Sequence, residues 1–150
     1  MKFKCEFNGK MNQGRLVYYE SGEFDFIPSR NADTIILLDY LCIGFDSKEM
    51  DARQVWGFHP RGLWIKSKLQ SPIAQNGNLF IVDDIEPGDN VRLEDVGDVT
   101  YYDDSSGWIC IGEVDYKDCE AVEFATNTIA VIKNSNLHAL WLKPDFEKDG

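Results

Sequence analysis

Short hydrophobic runs recur along the chain, and residues typical of turns separate them. Residues 16–19 and 24–27 are such runs, and Glu20-Ser21-Gly22-Glu23 lies between them. The dipeptides Asn8-Gly9 and Asn76-Gly77 tolerate the positive φ angles of tight hairpins. Apolar spacing typical of a helix is weak throughout. The pattern predicts a β-rich protein in which many neighbouring strands form hairpins.

Four segments invite a more specific interpretation. Residues 34–45 are almost continuously hydrophobic, which favours a central strand with both faces covered. Residues 48–55 are the best candidate for one short helix. His59-Pro60-Arg61-Gly62 suits a type I turn that joins strand 54–58 to strand 63–65. Residues 145–150 resemble a frayed end.

The length of 150 residues fits one domain with a core of its own. We expect an all-β antiparallel barrel or sandwich of about ten strands. Cys42-Ile43-Gly44 recurs as Cys110-Ile111-Gly112, and a hairpin candidate that contains a tryptophan follows each copy. One interpretation is an internal repeat of about residues 15–72 and 83–144, in which each half covers the hydrophobic face of the other. The other is chance similarity in a β-rich composition.

Cysteine and histidine usage argues against metal and disulfide chemistry. The four cysteines, Cys5, Cys42, Cys110 and Cys119, form no C-x-x-C pair, and the chain has only two histidines. Zinc sites usually need closer spacing, so we expect reduced thiols, no metal and no cofactor. The N-terminal residues contain no apolar run of signal-peptide length, and no stretch has the length of a membrane span. These features predict a cytoplasmic protein.

Negative charge is concentrated in one part of the chain. The net charge is −11, yet residues 83–123 contain fourteen acidic residues and two basic ones, so the whole excess lies there. A protein with a pI near 4.5 repels phosphate, which weighs against nucleic acid, so we expect no nucleic-acid partner. Concentrated charge of one sign raises the association rate with a partner of opposite charge. We therefore expect a basic protein partner, although a merely solvated acidic face remains the alternative.

No catalytic motif appears in the sequence. There is no G-x-S-x-G, no P-loop and no G-x-G-x-x-G. Asp83-Asp84 and Asp103-Asp104 supply adjacent carboxylates, but neighbouring residues of a strand point to opposite faces. Residues 83–90 are rich in oxygen ligands without the spacing of an EF-hand, which favours a polar turn. We expect no enzymatic activity.

The leading hypothesis is a small protein-binding module of the inhibitor or immunity type. It would neutralise a basic partner, such as a nuclease toxin, by placing carboxylates where the partner binds phosphate. The predicted partner-binding carboxylates are Asp83, Asp84, Asp103, Asp104, Asp115 and Asp118. Trp56 and Trp64 are candidate aromatic anchors, since tryptophan is enriched at interface hot spots, although core packing is their commoner role.

Two alternatives belong to other functional classes. One is an enzyme or small-ligand-binding protein with carboxylates in the mouth of a barrel or sandwich. It would need a pocket in which acidic groups of perturbed pKa converge. The other is a structural homodimer that pairs exposed strand edges. The sequence leaves monomer and homodimer both open.

Overall fold

The computed structural model describes residues 1–94, 96 and 98–148, and within them the chain is almost entirely β-structure. The strands are β1 Phe3–Glu6, β2 Arg15–Tyr19, β3 Glu23–Ile27, β4 Thr34–Leu38, β5 Leu41–Phe45, β6 Ala52–Phe58, β7 Ile65–Lys66, β8 Gln75–Asn76, β9 Asn78–Ile81, β10 Asn90–Arg92, β11 Thr100–Tyr102, β12 Ile109–Gly112, β13 Glu120–Ala125, β14 Thr128–Lys133, β15 Asn136–Leu142 and β16 Asp145–Glu147. The all-β prediction is confirmed.

These strands form two seven-stranded sheets and a two-stranded ribbon. The first sheet has the order β10-β4-β5-β6-β3-β2-β16, the second has the order β7-β11-β12-β15-β14-β13-β8, and β1 pairs with β9. Strands that are joined by a hairpin pair antiparallel. The four edge strands pair parallel to their neighbours: β10 with β4, β16 with β2, β7 with β11 and β8 with β13. The structure has more strands than the ten that we expected. The additional ones are mostly edge strands of two or three residues, which are too short to show hydrophobic alternation in the sequence.

The two large sheets share one internal arrangement. Hairpin β2–β3 and meander β4–β5–β6 are joined by pairing of β3 with β6, and hairpin β11–β12 and meander β13–β14–β15 are joined by pairing of β12 with β15. The strand after each meander then crosses over: β7 joins the second sheet and β16 joins the first. Each half therefore completes the sheet of the other.

This correspondence differs from the one that the short sequence similarity indicates. Cys42-Ile43-Gly44 lies in β5, at the centre of a meander, whereas Cys110-Ile111-Gly112 lies in β12, the second strand of a hairpin. By position in the sheets, β5 corresponds to β14 and β12 corresponds to β3. An origin of the halves 15–72 and 83–144 by duplication stays a prediction.

The main core lies between the two large sheets. Leu16, Phe26 and Ile43 of the first sheet and Ile111 and Leu140 of the second are at most 2% exposed and belong to one cluster. Side chains of the β1–β9 ribbon complete that cluster: Phe3, Leu79 and Ile81. The alternating inward positions of antiparallel strands supply these residues, as expected for a sandwich.

The structure corrects several local predictions. Residues 145–147 form strand β16, which pairs with β2, rather than a frayed end. Neither Asn8-Gly9 nor Asn76-Gly77 closes a hairpin, because β1 pairs with β9 and β8 pairs with β13.

Residues 34–45 are a hairpin rather than one strand, because Asp39 adopts a φ of 57° and turns the chain between β4 and β5. Residues 48–55 contain no helix; the helical turn that the described chain does have is a 3-10 turn at Arg61–Leu63. That turn leads β7 away from β6 to pair with β11, so the turn at residues 59–62 does not close a hairpin.

Candidate functional site

A second, smaller cluster lies on the outer face of the second sheet. Its buried members are Cys110, Ile129, Val131, Ala139 and Trp141. Residues 67–74, here called the strap, run from edge strand β7 to the opposite edge strand β8. Because Leu69 and Ala74 pack against this cluster, the strap crosses the outer face of the sheet.

Four hydrogen bonds fasten the strap to the sheet. The Ser67 backbone N–H donates to the Tyr102 carbonyl oxygen at 3.0 Å, and the Leu69 N–H donates to Asp103 Oδ2 at 2.9 Å. The Tyr116 hydroxyl lies 3.1 Å from the Gln70 carbonyl oxygen and 3.4 Å from the Ser71 carbonyl oxygen. Hydrogen bonds thus hold residues 67–71 of the strap, and the Leu69 side chain adds apolar contact with the outer-face cluster.

Asp103 is the carboxylate that joins the strap to the β11–β12 turn. Its Oδ1 accepts hydrogen bonds from the Ser105 backbone N–H and hydroxyl at 3.0 and 2.7 Å, while Oδ2 holds Leu69. The Leu69 amide and the Ser105 hydroxyl hold the pKa of Asp103 far below its usual range. The residue is 6% exposed. Asp103 is therefore part of the architecture and offers no exposed carboxylate to a partner.

A groove of about 440 Å³ opens between the strap and the β12–β13 loop and is here called the strap groove. Its lining residues are Ser67, Lys68, Leu69, Gln70, Tyr101, Val114, Asp115, Tyr116, Lys117 and Trp141. Trp141 stands edge-to-face with Tyr116, with the ring centroids 6.1 Å apart, and in the same manner with Trp108 at 6.2 Å. The groove thus combines an aromatic and aliphatic wall with charged side chains.

Three of the predicted partner-binding carboxylates lie around this face and are exposed. Asp104 follows Asp103 in the β11–β12 turn and lies 3.5 Å from Lys66 Nζ. Asp115 lines the strap groove, and its Oδ1 accepts the Lys117 backbone N–H at 2.9 Å. Asp118 lies in the same loop with a φ of 61°, a conformation that Asp tolerates better than most residues. All three side chains are exposed, and the Asp104 carboxylate is already paired with Lys66.

The other predicted acidic residues lie elsewhere. Asp83 is half-buried, and its Oδ2 accepts the Lys2 backbone N–H at 2.6 Å, so it fastens the N-terminal strand. Asp84 is exposed beside it. Neither residue lines the strap groove.

The two tryptophans predicted as anchors also lie away from the strap groove. Trp56 is half-buried on the outer face of the first sheet, where its ring lies over Gly44 so closely that a Cβ there would be 2.6 Å from it. Trp64 packs against the main core, with its ring centroid 5.0 Å from that of Tyr18 and 5.8 Å from that of His59. The Trp56 ring therefore covers Gly44, and the Trp64 ring packs on Tyr18 and His59.

No group of three or more His, Cys, Asp or Glu side chains among the described residues is placed to hold a metal ion. His59 is buried, with Nε2 2.7 Å from Thr100 Oγ1, and desolvation lowers its pKa. Desolvation disfavours the charged form of the Cys110 thiol as well and so raises its pKa to about 12. The thiol therefore stays protonated and unreactive.

Sequence reasoning missed the strap and the groove beneath it. Leu69, Tyr101, Tyr116 and Trp141 are distant in sequence and meet only because the chain crosses the sheet. The one signal available was Ile73, an isolated aliphatic residue after Pro72 that is 98% exposed in the structure.

The fold and the site together define a β-sandwich in which the strap crosses one outer face. Three exposed carboxylates surround that face and are here called the acidic rim: Asp104, Asp115 and Asp118. Comparison with known proteins finds no protein family whose model matches this chain and no significantly similar curated protein. Within the part of the chain that the structure describes, no helix is long and apolar enough to cross a membrane.

Proposed function

We propose that this protein is a non-catalytic, cytoplasmic binding module that docks its acidic second half on a basic protein. The observation that supports this is the state of the carboxylates in residues 83–123. Nine of them are exposed: Asp84, Glu86, Glu94, Asp98, Asp104, Glu113, Asp115, Asp118 and Glu120. Among the described residues of this segment, only Asp104 has a cation within 4.0 Å.

Carboxylates that the protein does not neutralise internally favour an external cation. They repel one another in the free protein, and a basic partner relieves that repulsion while it accelerates the encounter. A nuclease toxin fits this chemistry, because its active cleft is built to bind phosphate. The proposed role is therefore that of an inhibitor or immunity protein whose carboxylates occupy the cleft.

The structure narrows the residues that would carry such an interface. Asp104, Asp115 and Asp118 form the acidic rim of the strapped face and carry the proposed docking. Asp103 is excluded by its burial, and Asp83 is engaged with the N-terminal backbone. Ile73 replaces the tryptophans as the proposed apolar anchor, because it is 98% exposed on the same face.

The first experiment is affinity purification from the native cell at about 0.1 M and 1 M salt, which shortens the Debye length from about 10 Å to 3 Å. A photo-crosslinking residue at position 73 is compared with one at position 40, since Tyr40 is 63% exposed at a turn of the first sheet. We expect position 73, and not position 40, to crosslink to a stoichiometric basic protein, less efficiently at high salt. Equal crosslinking from both positions contradicts the proposed surface.

The second experiment measures association with the captured protein. The triple variant Asp104→Asn, Asp115→Asn, Asp118→Asn keeps the side-chain shapes and removes three charges from the rim. Its matched control, Glu20→Gln, Glu23→Gln, Glu49→Gln, removes three exposed charges from residues 20–49. We expect the rim variant to lower the association rate by about tenfold and the control to change it little. Equal effects would show that only the net charge matters.

A further inference from the structure

Strand β16 covers one edge of the first sheet although it follows directly on a strand of the second. Only Lys143 and Pro144 connect it to β15. It pairs parallel with β2 over residues 145–147, and its side chains are exposed or half-buried. An edge strand with so few pairings and so little buried surface is expected to open locally far more often than the sheets unfold.

One arginine of β2 holds both acidic residues of this strand. Asp145 and Glu147 are two positions apart and therefore lie on the same side of the strand. Arg15 Nε donates to Asp145 Oδ2 at 2.7 Å, and Arg15 Nη2 donates to Glu147 Oε1. The Glu20 backbone N–H donates to the Glu147 carbonyl oxygen at 3.2 Å. Because the Arg15 side chain is 50% exposed, solvent weakens both ion pairs.

The residue between the two acids points the other way, toward aromatic rings. The ring centroid of Phe146 lies 5.7 Å from that of Tyr18 and 5.7 Å from that of Tyr102. The Arg61 guanidinium lies 5.4 Å from the Phe146 centroid, which is a cation–π distance. A pocket of about 180 Å³ beside Phe146, lined also by Tyr18 and Arg61, leaves room for a larger ring. The site therefore suits an aromatic side chain flanked by two carboxylates, and Phe146 does not fill it.

We propose that this edge of β2 binds an extended segment of another protein with the pattern acidic–aromatic–acidic, and that residues 145–147 occupy the site as an internal ligand. The foreign segment displaces β16, pairs with residues 17–19, and places its acids on Arg15 and its ring beside Tyr18. Strand addition of this kind takes affinity from backbone hydrogen bonds and specificity from alternate side chains. The internal ligand keeps the edge covered in the free protein. The proposal does not depend on the basic partner proposed above.

The test uses the full chain with β16 loosened and a labelled peptide as the probe. The loosened variant carries Asp145→Asn, Phe146→Ala and Glu147→Gln, which removes the side-chain contacts of β16 and leaves β2 intact. The probe is fluorescein-labelled Lys-Pro-Asp-Phe-Glu-Lys, the sequence of residues 143–148. We expect fluorescence anisotropy to show saturable binding to the loosened variant and at least about tenfold weaker binding to the wild type, whose own strand competes. Equal binding to both proteins, or no binding to the loosened variant, overturns the site.

Altered peptides and a matched pair of arginine variants test the recognition chemistry. Replacing both acids of the peptide by Asn and Gln, or its Phe by Ala, is expected to weaken binding by about fivefold or more. In the loosened background, Arg15→Ala is expected to weaken binding similarly, and Arg92→Ala is expected to leave it unchanged. Arg92 is the control because its side chain is 49% exposed and it lies in β10, at the opposite edge of the same sheet. Equal effects of the two arginine variants reject the site.

Hydrogen exchange of the wild type tests the opening of β16 without any substitution. We expect the amides of Phe146 and Glu147 to exchange at least about tenfold faster than those of the inner strand β5. Their exchange should be faster still at about 1 M salt, which screens the ion pairs of Arg15. Protection equal to that of β5 at both salt concentrations contradicts a displaceable strand.

Sedimentation equilibrium of the wild type and of Phe146→Ala tests another occupant with the same pattern, residues 145–147 of a second copy. We expect both proteins to be monomers. A wild-type dimer that the variant loses would show that β16 exchanges between copies, and it would overturn the assignment of the site to another protein.

Discussion

At the scale of single residues, the same side-chain type has opposite roles depending on its surroundings. Asp103 is buried and accepts hydrogen bonds on both carboxylate oxygens, whereas its neighbour Asp104 is exposed. Tyr102 packs against the main core, and Tyr101 packs on the outer face of the second sheet. The opposite directions of the two tyrosines follow from the alternation of side chains along a strand. The sequence did not predict the burial of Asp103, which depends on a distant strap.

His59 makes stability depend on pH at this scale. Burial lowers its pKa below the ordinary value of 6.5, and the Asp39 carboxylate opposes this. As the pH falls through about 6.5, His59 is therefore protonated in the unfolded chain while it is still neutral in the folded protein. We expect the free energy of unfolding to fall as the pH decreases from 7 toward 5, with a contribution of up to about 1.4 kcal/mol per pH unit.

Chemical denaturation of the wild type and the His59→Gln variant at several pH values measures this contribution. The variant is expected to have a shallower dependence between pH 7 and 5, whatever its absolute stability. His138→Gln serves as the control, because His138 lies near the surface with Nε2 2.7 Å from the Asp115 carbonyl oxygen. An unchanged slope in the His59 variant would contradict the prediction.

The cysteines give a second prediction at residue scale. Burial, with the nearby charge of Glu113, raises the pKa of Cys110 to about 12, and Cys119 lies half-buried on the same face. We expect iodoacetamide at pH 8 to label Cys110 at least about tenfold more slowly than Cys119. Peptide mapping by mass spectrometry after timed quenching measures both rates. Equal rates would show that the outer-face cluster opens freely.

At the scale of elements, the strap is an irregular segment that behaves as part of a sheet. It has no strand of its own between β7 and β8, yet it covers a buried cluster. The Leu69 backbone N–H fastens it to Oδ2 of Asp103. The hairpin β2–β3 was predictable, because Glu20-Ser21-Gly22-Glu23 separates its two hydrophobic runs. The strap was not, since its contacts depend on the parallel pairing of two short edge strands.

The strap is expected to detach locally when its fastening is weakened. Asp103→Asn removes one acceptor oxygen and the charge that strengthens the hydrogen bonds to Leu69 and Ser105. Hydrogen exchange in residues 67–74 should accelerate by on the order of tenfold, while the strands of the first sheet keep their protection. Asp104→Asn is the neighbouring control. Uniform acceleration across both sheets would indicate global destabilisation instead.

At the scale of the whole molecule, each half completes the sheet of the other. β7 and β16 cross between the sheets and end as edge strands of two and three residues. The opposite edges, β8 and β10, are equally short. Short edges offer little template for pairing with another chain.

The protein is therefore expected to be a monomer of 17.1 kDa in isolation. Sedimentation equilibrium at about 0.1 M and 1 M salt measures this directly. The acidic surface strengthens the expectation at low salt, since copies of the chain repel one another. A stable dimer at both salt concentrations would favour the structural homodimer over the binding module.

The sequence by itself determined the fold class, the hairpin β2–β3 and the place of the excess negative charge. These depend on local alternation, turn residues and composition, which are read along the chain. Tertiary structure alone decided that β7 and β16 change sheets, that Asp103 is buried, and that Leu69 and Trp141 meet at a groove. Each of these depends on contacts between residues far apart in sequence, and no local pattern of side chains encodes which distant strand an edge strand of two or three residues joins.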